Sequence, residues 1–317
     1  MRRFSTARAA KLLCFLLWGW AVGVLPTIAS DTLRVTLTGD ILLDRGVRIK
    51  IEKDGVDALF SRSVDSVFAL SDVVVGNLEC PVTTIKEPVQ KLYIFRGEPE
   101  WLPVLKAHGM THLNLANNHS IDQGRRGLLD TREQIFRAGM VPFGAGKNMG
   151  EASEPVLLAN RPRPVYLLGA LRLPLENFAY LPDRPCVSQE GKKVLQERVR
   201  RLREECPSAY IIVSLHWGGE HTLKPVIDQK VEAHALIDAG ADILVCHHTH
   251  TLQPTEIYKG KYIFYSIGNF IFDQEAPKNS RACMVTISVT EQSAMVDALP
   301  IVITDCTPEV LLKENIP

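Results

Sequence analysis

The sequence predicts an α/β layered domain in which helices pack outside β-sheet. Two observations support this fold class. Short β-rich runs alternate with amphipathic stretches from Leu33 onward, and the chain closes on strands without helices. Alternating strands and helices indicate layered α/β architecture, and the closing strands point to a second or mixed sheet. No repeat, low-complexity stretch or linker interrupts residues 31–305, so a single domain is expected there.

The first half of this domain alternates strand and helix. Strands are predicted at LRVTLTGD, SDVVVGNLE, THLNLANN and MVPFGAG. Helices are predicted over residues 57–70, 98–109 and 124–138, the first because its apolar residues recur at three- and four-residue spacing and the second because Gly109 closes it.

The second half continues the alternation and then changes character. The strand VYLLGAL precedes a charged helix from about Gln189 to Glu205, the strand AYIIVSLHW, a helix over KPVIDQKVEAHALIDAG, and the strand ADILVCHH. The end is rich in strands, at KYIFYSIGNFIF, RACMVTISVT and SAMVDALPIVIT. Residues 306–317 are expected to form a C-terminal tail.

The first thirty residues have the pattern of an export signal. Four cations, the last of them Lys11, precede an apolar run from Leu12 to about Pro26, which is the order of a signal peptide. Small residues up to Ala29 offer a cleavage point, and without cleavage the run is long enough to stay as an anchor. Residues 1–30 are therefore predicted to be a signal peptide or N-terminal membrane anchor, and the domain to be extracytoplasmic: secreted, periplasmic or membrane-anchored.

Charge and cysteine usage exclude several classes of function. Without residues 1–30, the chain keeps 32 basic against 36 acidic residues, and a mildly acidic domain is a poor candidate for nucleic-acid binding. The cysteines form no C-x-x-C unit, which argues against a zinc knuckle or a thioredoxin-like site. The cysteines are expected to be small buried residues with at most one disulfide. Export permits such a bridge, and Cys186 with Cys206, which flank a predicted helix, is the first pair to inspect.

Residues with metal or proton chemistry follow five predicted strands. They are Asp40, Glu79, the run Asn117-Asn118-His119, His216, and His248 with His250. Open α/β sheets bind ligands at the carboxyl ends of their strands, so these strand ends are expected to form one site. Carboxylate, amide and imidazole groups together suit Mn, Fe or Zn, whereas calcium prefers oxygen ligands. The expected cofactor is a divalent metal, one or two ions per chain.

The stretch CHHTH, residues 246–250, holds three of the nine histidines. If its backbone is extended, His248 and His250 point to the same face and reach neighbouring positions of one site. His247 then points the other way and is assigned no ligand role. A site role for His221, in the loop after His216, stays open.

Seven motifs between Leu33 and about Asp273 resemble those of the CapA (PgsA) family of capsule and poly-γ-glutamate synthesis proteins. In order they are LTGDILLDRG, VGNLECPVT, YIFRG, NLANNHSIDQG, SLHWGGEHT, HHTHTLQP and YSIGNFIFD. That family belongs to the calcineurin-like metallophosphatase superfamily. The resemblance implies a layered α-β-β-α sandwich with mixed sheets, an anionic polymer or phosphoester as substrate, and membrane-bound polymer synthesis machinery as a partner.

The resemblance also implies roles for individual residues. The implied metal ligands are Asp40, Glu79, Asn118, His216, His248 and His250. Glu79 stands where a metal-bridging aspartate is usual, and His119 stands where a general acid is expected. Arg45 and Arg96 lie in motif loops and would clamp a phosphate or carboxylate, or remain surface cations. Trp217 and Glu220, beside His216, would shape the pocket, and core packing explains Trp217 equally well.

One position departs from the superfamily pattern. The first motif usually has a histidine two residues after its aspartate, and here Leu42 follows Asp40. Either one metal therefore binds weakly, or another residue such as Asp44 replaces the missing ligand. Three functions stay open: an exported capsule or poly-γ-glutamate biosynthesis protein with a metal site, an extracytoplasmic metal-dependent phosphoesterase or amide hydrolase, and a non-catalytic polymer-binding or assembly component.

Overall fold

The structure is a computed structural model that describes residues 32–311. Its first half contains β1 (Leu33–Ile41), α1 (Arg45–Asp54), α2 (Arg62–Ala69), β2 (Val73–Leu78), α3 (Leu102–Ala107), β3 (His112–Asn114), α4 (Gly124–Arg137), β4 (Val141–Phe143), β5 (Ala145–Gly146) and α5 (Met149–Ala152). Its second half contains β6 (Val156–Ala159), β7 (Val165–Leu171), β8 (Cys186–Val187), α6 (Lys192–Glu205), β9 (Tyr210–His216), α7 (Ile227–Ala239), β10 (Ile243–Val245), β11 (Thr255–Tyr258), β12 (Lys261–Phe264), β13 (Asn269–Ile271), β14 (Arg281–Val289), β15 (Ala294–Thr304) and β16 (Thr307–Val310). The predicted signal or anchor lies outside the described residues. Within residues 32–311, no helix has both the length and the apolar character needed to cross a bilayer.

Two mixed sheets form the centre of the domain. The first has the order β16-β15-β14-β1-β2-β3-β4, and β13 also pairs with β1. Its strands β1 to β4 run parallel, whereas β14 to β16 are antiparallel. The second has the order β11-β12-β10-β9-β7-β6, with a parallel centre and antiparallel edges.

The alternation of side chains along the central strands separates three apolar layers. In β2, Val73 and Val75 face the second sheet, whereas Val74 faces the helices that cover the first. In β9, Ile212 faces the first sheet and Ile211 faces the helices that cover the second. Helices α1 to α4 pack on one outer face, and α6 and α7 pack on the other. The predicted α-β-β-α sandwich with mixed sheets is confirmed.

A β-bulge in β1 sets the direction of its last residues. Leu37 pairs with Val75, but Asp40 pairs with Asn77, so β1 has one extra residue in this interval. The extra residue moves Asp40 onto the face that Leu37 occupies, toward the second sheet. Gly39 lies within the bulge, where a Cβ would meet the carbonyl oxygen of Gly268 at 2.1 Å.

Three features differ from the sequence-based expectation. Helix α1 was not predicted, because RIKIEK alternates like a strand; the Asp44 side chain accepts from the Arg45 N–H and caps it. The run KYIFYSIGNFIF is divided between β12 in the second sheet and β13 in the first. Strand β16 pairs with β15, so the predicted domain end at residue 305 lies inside a hairpin rather than before a tail. All six cysteines of the described part are unpaired, Cys186 and Cys206 included.

Candidate metal centre

The strand ends that the sequence singled out meet at one edge of the sandwich, between the two sheets. Asp40 is the second-last residue of β1, Glu79 directly follows β2, and His216 ends β9. His248 and His250 come from the loop after β10. These five residues are buried, with exposed fractions of 5% or less.

Glu79, His216 and His248 form a first cluster, the imidazole-rich group. One potential ligand atom from each lies within 4.8 Å of the others. His216 Nε2 is 3.4 Å from Glu79 Oε1 and 3.1 Å from His248 Nδ1. Asn118 joins this group, because its Oδ1 lies 2.8 Å from the same His216 Nε2. The group therefore offers a carboxylate, an amide oxygen and two imidazoles.

Asp40, Glu79 and His250 form a second cluster, the carboxylate-rich group, within the same 4.8 Å limit. His250 Nδ1 is 3.4 Å from Asp40 Oδ2, and His250 Nε2 is 3.8 Å from Glu79 Oε1. Leu42 supplies no ligand here, because its side chain is buried in the apolar layer under the helices. Glu79 belongs to both groups and is the residue that two neighbouring ions would share.

Asp44 does not replace the missing ligand. Its Oδ1 accepts from the Arg45 N–H at 2.9 Å and from Arg48 Nε at 3.0 Å, and its Oδ2 accepts from the Arg96 N–H at 2.8 Å. The carboxylate is therefore committed to capping α1 and holding the neighbouring loop. The hypothesis that Asp44 completes the site is wrong for this structure.

The Glu79 carboxylate tests whether the cluster fits a metal. It is buried, and neither of its oxygens accepts a hydrogen bond from any residue in the described range. Burial first, and then the charges of Asp40 and Glu220, raise the pKa of Glu79 well above its ordinary value, against the opposing charge of His250. A buried carboxylate without a donor is costly unless a cation compensates it. A divalent cation between these ligands removes that cost, so the residues fit the implied group.

Two buried amides hold the ligands in place. Asn77 Nδ2 donates to Asp40 Oδ1 at 2.7 Å and lies 3.1 Å from His216 Nδ1. Asn269 Oδ1 is 2.9 Å from His250 Nδ1. Such outer contacts orient imidazole and carboxylate ligands. Sequence reasoning missed Asn77, although a polar residue two positions before Glu79 in an apolar strand was a signal, because residues i and i+2 share a face.

The two charged ligands of the carboxylate-rich group depend on each other. Burial opposes ionisation of Asp40, but the imidazoles of His250 and His247 outweigh it and hold the pKa of Asp40 below its ordinary value. Burial alone would lower the pKa of His250, yet the charges of Glu79 and Asp40 raise it to about 9. In the absence of metal, His250 therefore carries the proton that a cation has to displace.

The histidines of CHHTH reach the site by a different backbone path from the predicted one. Strand β10 ends at Val245, and His248 and His250 have φ values of 96° and 55° instead of an extended conformation. Left-handed backbone is uncommon for histidine and is found at functional sites that the surrounding fold holds in place. His247 is turned away, with Nε2 3.1 Å from the Thr38 carbonyl oxygen, and belongs to neither ligand group.

His119 lies beside this cluster and is oriented by a buried ion pair. Its Nδ1 donates to Asp122 Oδ2 at 2.9 Å, which leaves Nε2 as the other ring nitrogen. Lys91 Nζ donates to Asp122 Oδ1 at 2.9 Å and to the Asn118 carbonyl oxygen at 3.1 Å. Burial lowers the pKa of His119, against the opposing effect of Asp122. The sequence offered a signal for Asp122, a carboxylate three residues after His119, but none for Lys91.

Arg45 is connected to the cluster through two aromatic rings. Its guanidinium carbon is 5.1 Å from the Phe95 ring centre and 5.3 Å from the Phe272 ring centre. Phe95 in turn packs on His119, and Phe272 packs on His250, with centroid distances of 4.3 and 4.7 Å. About a third of the Arg45 side chain is exposed, and it pairs with Asp273. Arg45 is therefore a partly exposed cation at the mouth of the site.

The other three predicted substrate contacts lie elsewhere. Arg96 donates to both carboxylate oxygens of Glu98 and to the Thr83 carbonyl oxygen. Its guanidinium therefore holds a loop together, and the prediction that it clamps a substrate needs correction. Trp217 is buried in the outer core of the second sheet and donates through Nε1 to the Tyr265 carbonyl oxygen. Glu220 is exposed in the loop after β9 and affects the site through its charge.

His221, whose role the sequence left open, lies at the rim. Its ring centroid is 6.1 Å from that of His250, and its Nδ1 is 3.0 Å from Asn279 Nδ2. Asn279 also donates to the His250 carbonyl oxygen at 2.7 Å. His221 therefore lies next to the loop that carries His250, and it is not among the ligand groups.

Comparison with known proteins supports the resemblance. A family model described as "Bacterial capsule synthesis protein PGA_cap" matches residues 34–274. The chain is 32% identical over 294 residues to the PGA biosynthesis protein CapA of Bacillus subtilis, covering 92% of this chain and 77% of that protein. It is 31% identical over 287 residues to the capsule biosynthesis protein CapA of Bacillus anthracis, covering 88% and 70%. A probable polyglutamine synthesis accessory protein of Mycobacterium tuberculosis is 31% identical over 215 residues, covering 65% and 57%.

A solved structure shares the fold. The NAD nucleotidase NadN of Haemophilus influenzae matches with a TM-score of 0.50 and 10% identity, covering 89% of this chain and 54% of that chain. At this identity the similarity concerns architecture alone. It agrees with the metallophosphatase-type sandwich that the motifs implied.

Proposed function

Since the chain belongs to the family of bacterial capsule synthesis proteins, we propose that it acts in the biosynthesis of an anionic surface polymer of the poly-γ-glutamate type, as a metal-dependent hydrolase. The relatives from Bacillus are named for PGA and capsule biosynthesis, and the mycobacterial relative is named for polyglutamine synthesis. The reaction class is hydrolysis of a γ-glutamyl amide or a phosphoester, with the polymer cut or released from its carrier.

One observation carries this proposal: the Glu79 carboxylate is buried without a donor at the intersection of two ligand groups. Its neighbours would hold the cation, namely Asp40, Asn118, His216, His248 and His250. Imidazole and carboxylate together favour Mn, Fe or Zn. When bound, such an ion supplies Lewis-acid chemistry, polarising a substrate oxygen and lowering the pKa of water.

The remaining residues have separate tasks. His119 would deliver a proton to the leaving group from Nε2, because Nδ1 is held by Asp122. Arg45 would attract a carboxylate or phosphate to the mouth of the site, since its guanidinium is partly exposed between two aromatic rings. Phe95 and Phe272 would keep water away from the flanks of His119 and His250.

We place this activity outside the cytoplasm, next to membrane-bound machinery that makes the polymer. The support is the cation-led apolar run of residues 1–30. Fractionation of cells that express the full chain tests it; recovery in the cytoplasm at full length would contradict it.

The function is tested by loading purified protein with Mn²⁺, Fe²⁺ or Zn²⁺. We expect at least one ion per chain by elemental analysis, and shortening of poly-γ-glutamate by size-exclusion chromatography or release of nitrophenol from bis(p-nitrophenyl) phosphate. His119→Ala should lower turnover by about 10²- to 10⁴-fold with unchanged metal content. His234→Ala, which alters a histidine paired with Glu256, serves as the control. A loaded protein that turns over neither probe contradicts hydrolysis.

Leu42 favours a second candidate, a non-catalytic polymer-binding or assembly component. The carboxylate-rich group has three ligands among the described acidic and histidine side chains, fewer than a catalytic pair of ions is expected to have. Under this alternative, cells carrying His119→Ala would still display normal polymer. Loss of polymer on that change, with the protein still present, would exclude it.

A further inference from the structure

A pocket opens on the outer face of the second sheet, where β7 and β9 end and α6 and α7 begin. Its volume is about 240 Å³, and its walls include Arg172, Lys192, Trp217, Gly218, Gln229 and Glu232. We call it the α6–α7 pocket. It is separate from the imidazole-rich and carboxylate-rich groups, which we together call the metal cluster. None of the proposed ligands in those groups lines the pocket.

Arg172 lines this pocket, and one of its guanidinium nitrogens has no hydrogen-bond partner in the described chain. Its side chain is 8% exposed; Nε donates to Glu232, and Nη1 donates to the carbonyl oxygens of Glu190 and Leu171 at 2.8 and 3.2 Å. Nη2 is buried and has no partner among residues 32–311. An unpaired donor on a buried guanidinium is unfavourable, so an acceptor placed there is stabilised.

Gln229, in the first turn of α7, also has a buried N–H donor without a partner in the described chain. Its Oε1 accepts from the Val226 N–H at 3.0 Å, whereas Nε2 is buried and finds no acceptor in the described chain. Nε2 lies toward Gly218, where it would be 2.8 Å from a Cβ added to that glycine. Gly218 and Gln229 both line the pocket, and Gln229 is only 5% exposed.

The acidic groups of the pocket are already paired. Glu232 Oε1 accepts from Arg172, and Glu232 Oε2 lies 3.5 Å from Lys192 Nζ. Lys192 also pairs with Asp228 at 2.8 Å. Two cations thus balance two carboxylates. The buried side-chain polar atoms of the pocket that still lack a hydrogen-bond partner within residues 32–311 are N–H donors, on Arg172 and Gln229. The N-termini of α6 and α7 add partial positive charge on the same side, and α6 has no side-chain cap.

We propose that the α6–α7 pocket binds a carboxylate group of the polymer, at a position distinct from the metal cluster. This inference rests on the proposed function. An acceptor-only ligand matches the unpaired Arg172 and Gln229 donors. Because the fixed charges balance, a singly charged carboxylate is favoured over a phosphate dianion, which would need excess positive charge to compensate its desolvation.

The pocket is placed to act together with the metal cluster. Trp217, in its wall, directly follows the proposed ligand His216, and the Arg172 N–H donates to the His216 carbonyl oxygen at 2.9 Å. The two sites therefore share the end of β9 and lie on opposite sides of it. A γ-glutamyl chain carries one free carboxylate per residue, so a long chain would offer one carboxylate to the pocket and other groups to the metal cluster. Binding at two points would select a polymer over a single amino acid.

The test uses the metal-loaded full chain and isothermal titration calorimetry with γ-linked tetraglutamate. Gln229→Glu keeps the oxygen that accepts from Val226 and replaces the Nε2 donor by a second carboxylate oxygen. We expect its affinity for tetraglutamate to fall at least tenfold. Gln229→Met, which removes the donor and also the oxygen that accepts from Val226, without adding charge, should show a smaller loss. Gln292→Glu makes the same chemical change in an exposed turn and should bind like the wild type.

The outcomes separate this pocket from the proposed function. Equal tetraglutamate binding by the wild type and both Gln229 variants, each folded by circular dichroism, overturns the pocket. So does binding that His216→Ala abolishes and Gln229→Glu leaves intact, which would locate the polymer at the metal cluster alone. Gln229-dependent binding of inorganic phosphate without binding of tetraglutamate or glutarate overturns the carboxylate assignment. Metal content and turnover of the wild type, measured in parallel, report on the proposed function independently.

Discussion

Buried histidines of this domain differ in the charge they carry because their neighbours differ. His250 lies beside Glu79 and Asp40, and its pKa rises to about 9. His112 in β3 has no carboxylate partner among residues 32–311, so burial, aided by the charge of Lys106, lowers its pKa to about 4. The first histidine holds a proton at neutral pH and the second excludes one. The same residue type therefore lies in a candidate cation site in one place and in the sheet core in another.

His112 predicts an acid-sensitive contribution to stability. Its ordinary pKa of 6.5 in the unfolded chain exceeds the folded value, so the unfolded state takes up the proton first as pH falls. The contribution is complete above about pH 6.5 and declines toward pH 4, by at most about 3 kcal/mol. His112→Gln should flatten the fall of the unfolding free energy between pH 6.5 and 4.5, measured by urea denaturation. Parallel pH profiles of variant and wild type would contradict it.

At this scale the sequence identified the residues that the structure brings together better than the residues that hold them in place. Asp40, Glu79 and His216 were found because each follows an apolar strand, and parallel strands bring their carboxyl ends to one edge. Lys91 could not be found this way. It belongs to an irregular loop, and its contact with Asp122 spans 31 residues that no periodicity connects.

At the scale of elements, irregular backbone rather than regular strand determines where the side chains of the candidate site point. The bulge in β1 turns Asp40 toward the second sheet, and left-handed residues in the loop after β10 bring His248 and His250 to the cluster. The sequence predicted an extended path for these two histidines, because their spacing suits a strand. Periodicity cannot report a bulge or a left-handed turn, since each shifts the phase by a single residue.

Gly39 provides a test of the bulge. A Cβ there would lie 2.1 Å from the Gly268 carbonyl oxygen and 2.7 Å from the Asn269 carbonyl carbon, both backbone atoms. Gly39→Ala should therefore destabilise the domain by about 3 kcal/mol or more and weaken metal binding, because β1 and β13 must separate beside Asp40. Thermal unfolding and metal titration measure both effects. Gly191→Ala, with an ordinary φ of −62° and no atom within 4 Å, is the control; equal behaviour of the two variants would refute the account.

At the scale of the whole molecule, the candidate ligands come from both sheets. Asp40 and Glu79 belong to the first sheet, whereas His216 and the histidines after β10 belong to the second. An ion held between them would link the two central layers. Metal binding would therefore be coupled to the stability of the entire sandwich and not only to that of one loop.

We expect a metal-induced rise in melting temperature that grows with pH. A cation at a hundredfold excess over its Kd stabilises the folded state by about 2.7 kcal/mol. Because His250 has a pKa of about 9, the metal must displace its proton, and affinity should fall about tenfold per pH unit below that value. Calorimetric melting at pH 6 and pH 8, with Mn²⁺ and with chelator, checks this. A metal-induced shift that is independent of pH would count against His250 as a ligand.

The layered architecture was predictable because alternating strands and helices leave few other arrangements. The distribution of strands between the two sheets was not. β13 pairs with β1 across more than two hundred residues, with Asp40 opposite Asn269, while β12, only a few residues earlier, belongs to the other sheet. Pairings of such long range depend on packing that no local pattern encodes.

The direction of β1 has a practical consequence for handling the protein. The described chain enters the domain at Leu33, at one end of this strand, and Asp40 lies near the other end, roughly 23 Å away. If the protein is coupled to a bead, sensor chip or lipid surface through its N-terminal side, the attachment point is therefore at the end of the domain remote from the candidate metal centre. Immobilised in that orientation, the molecule presents its cluster to the solution, where long polymers can reach it.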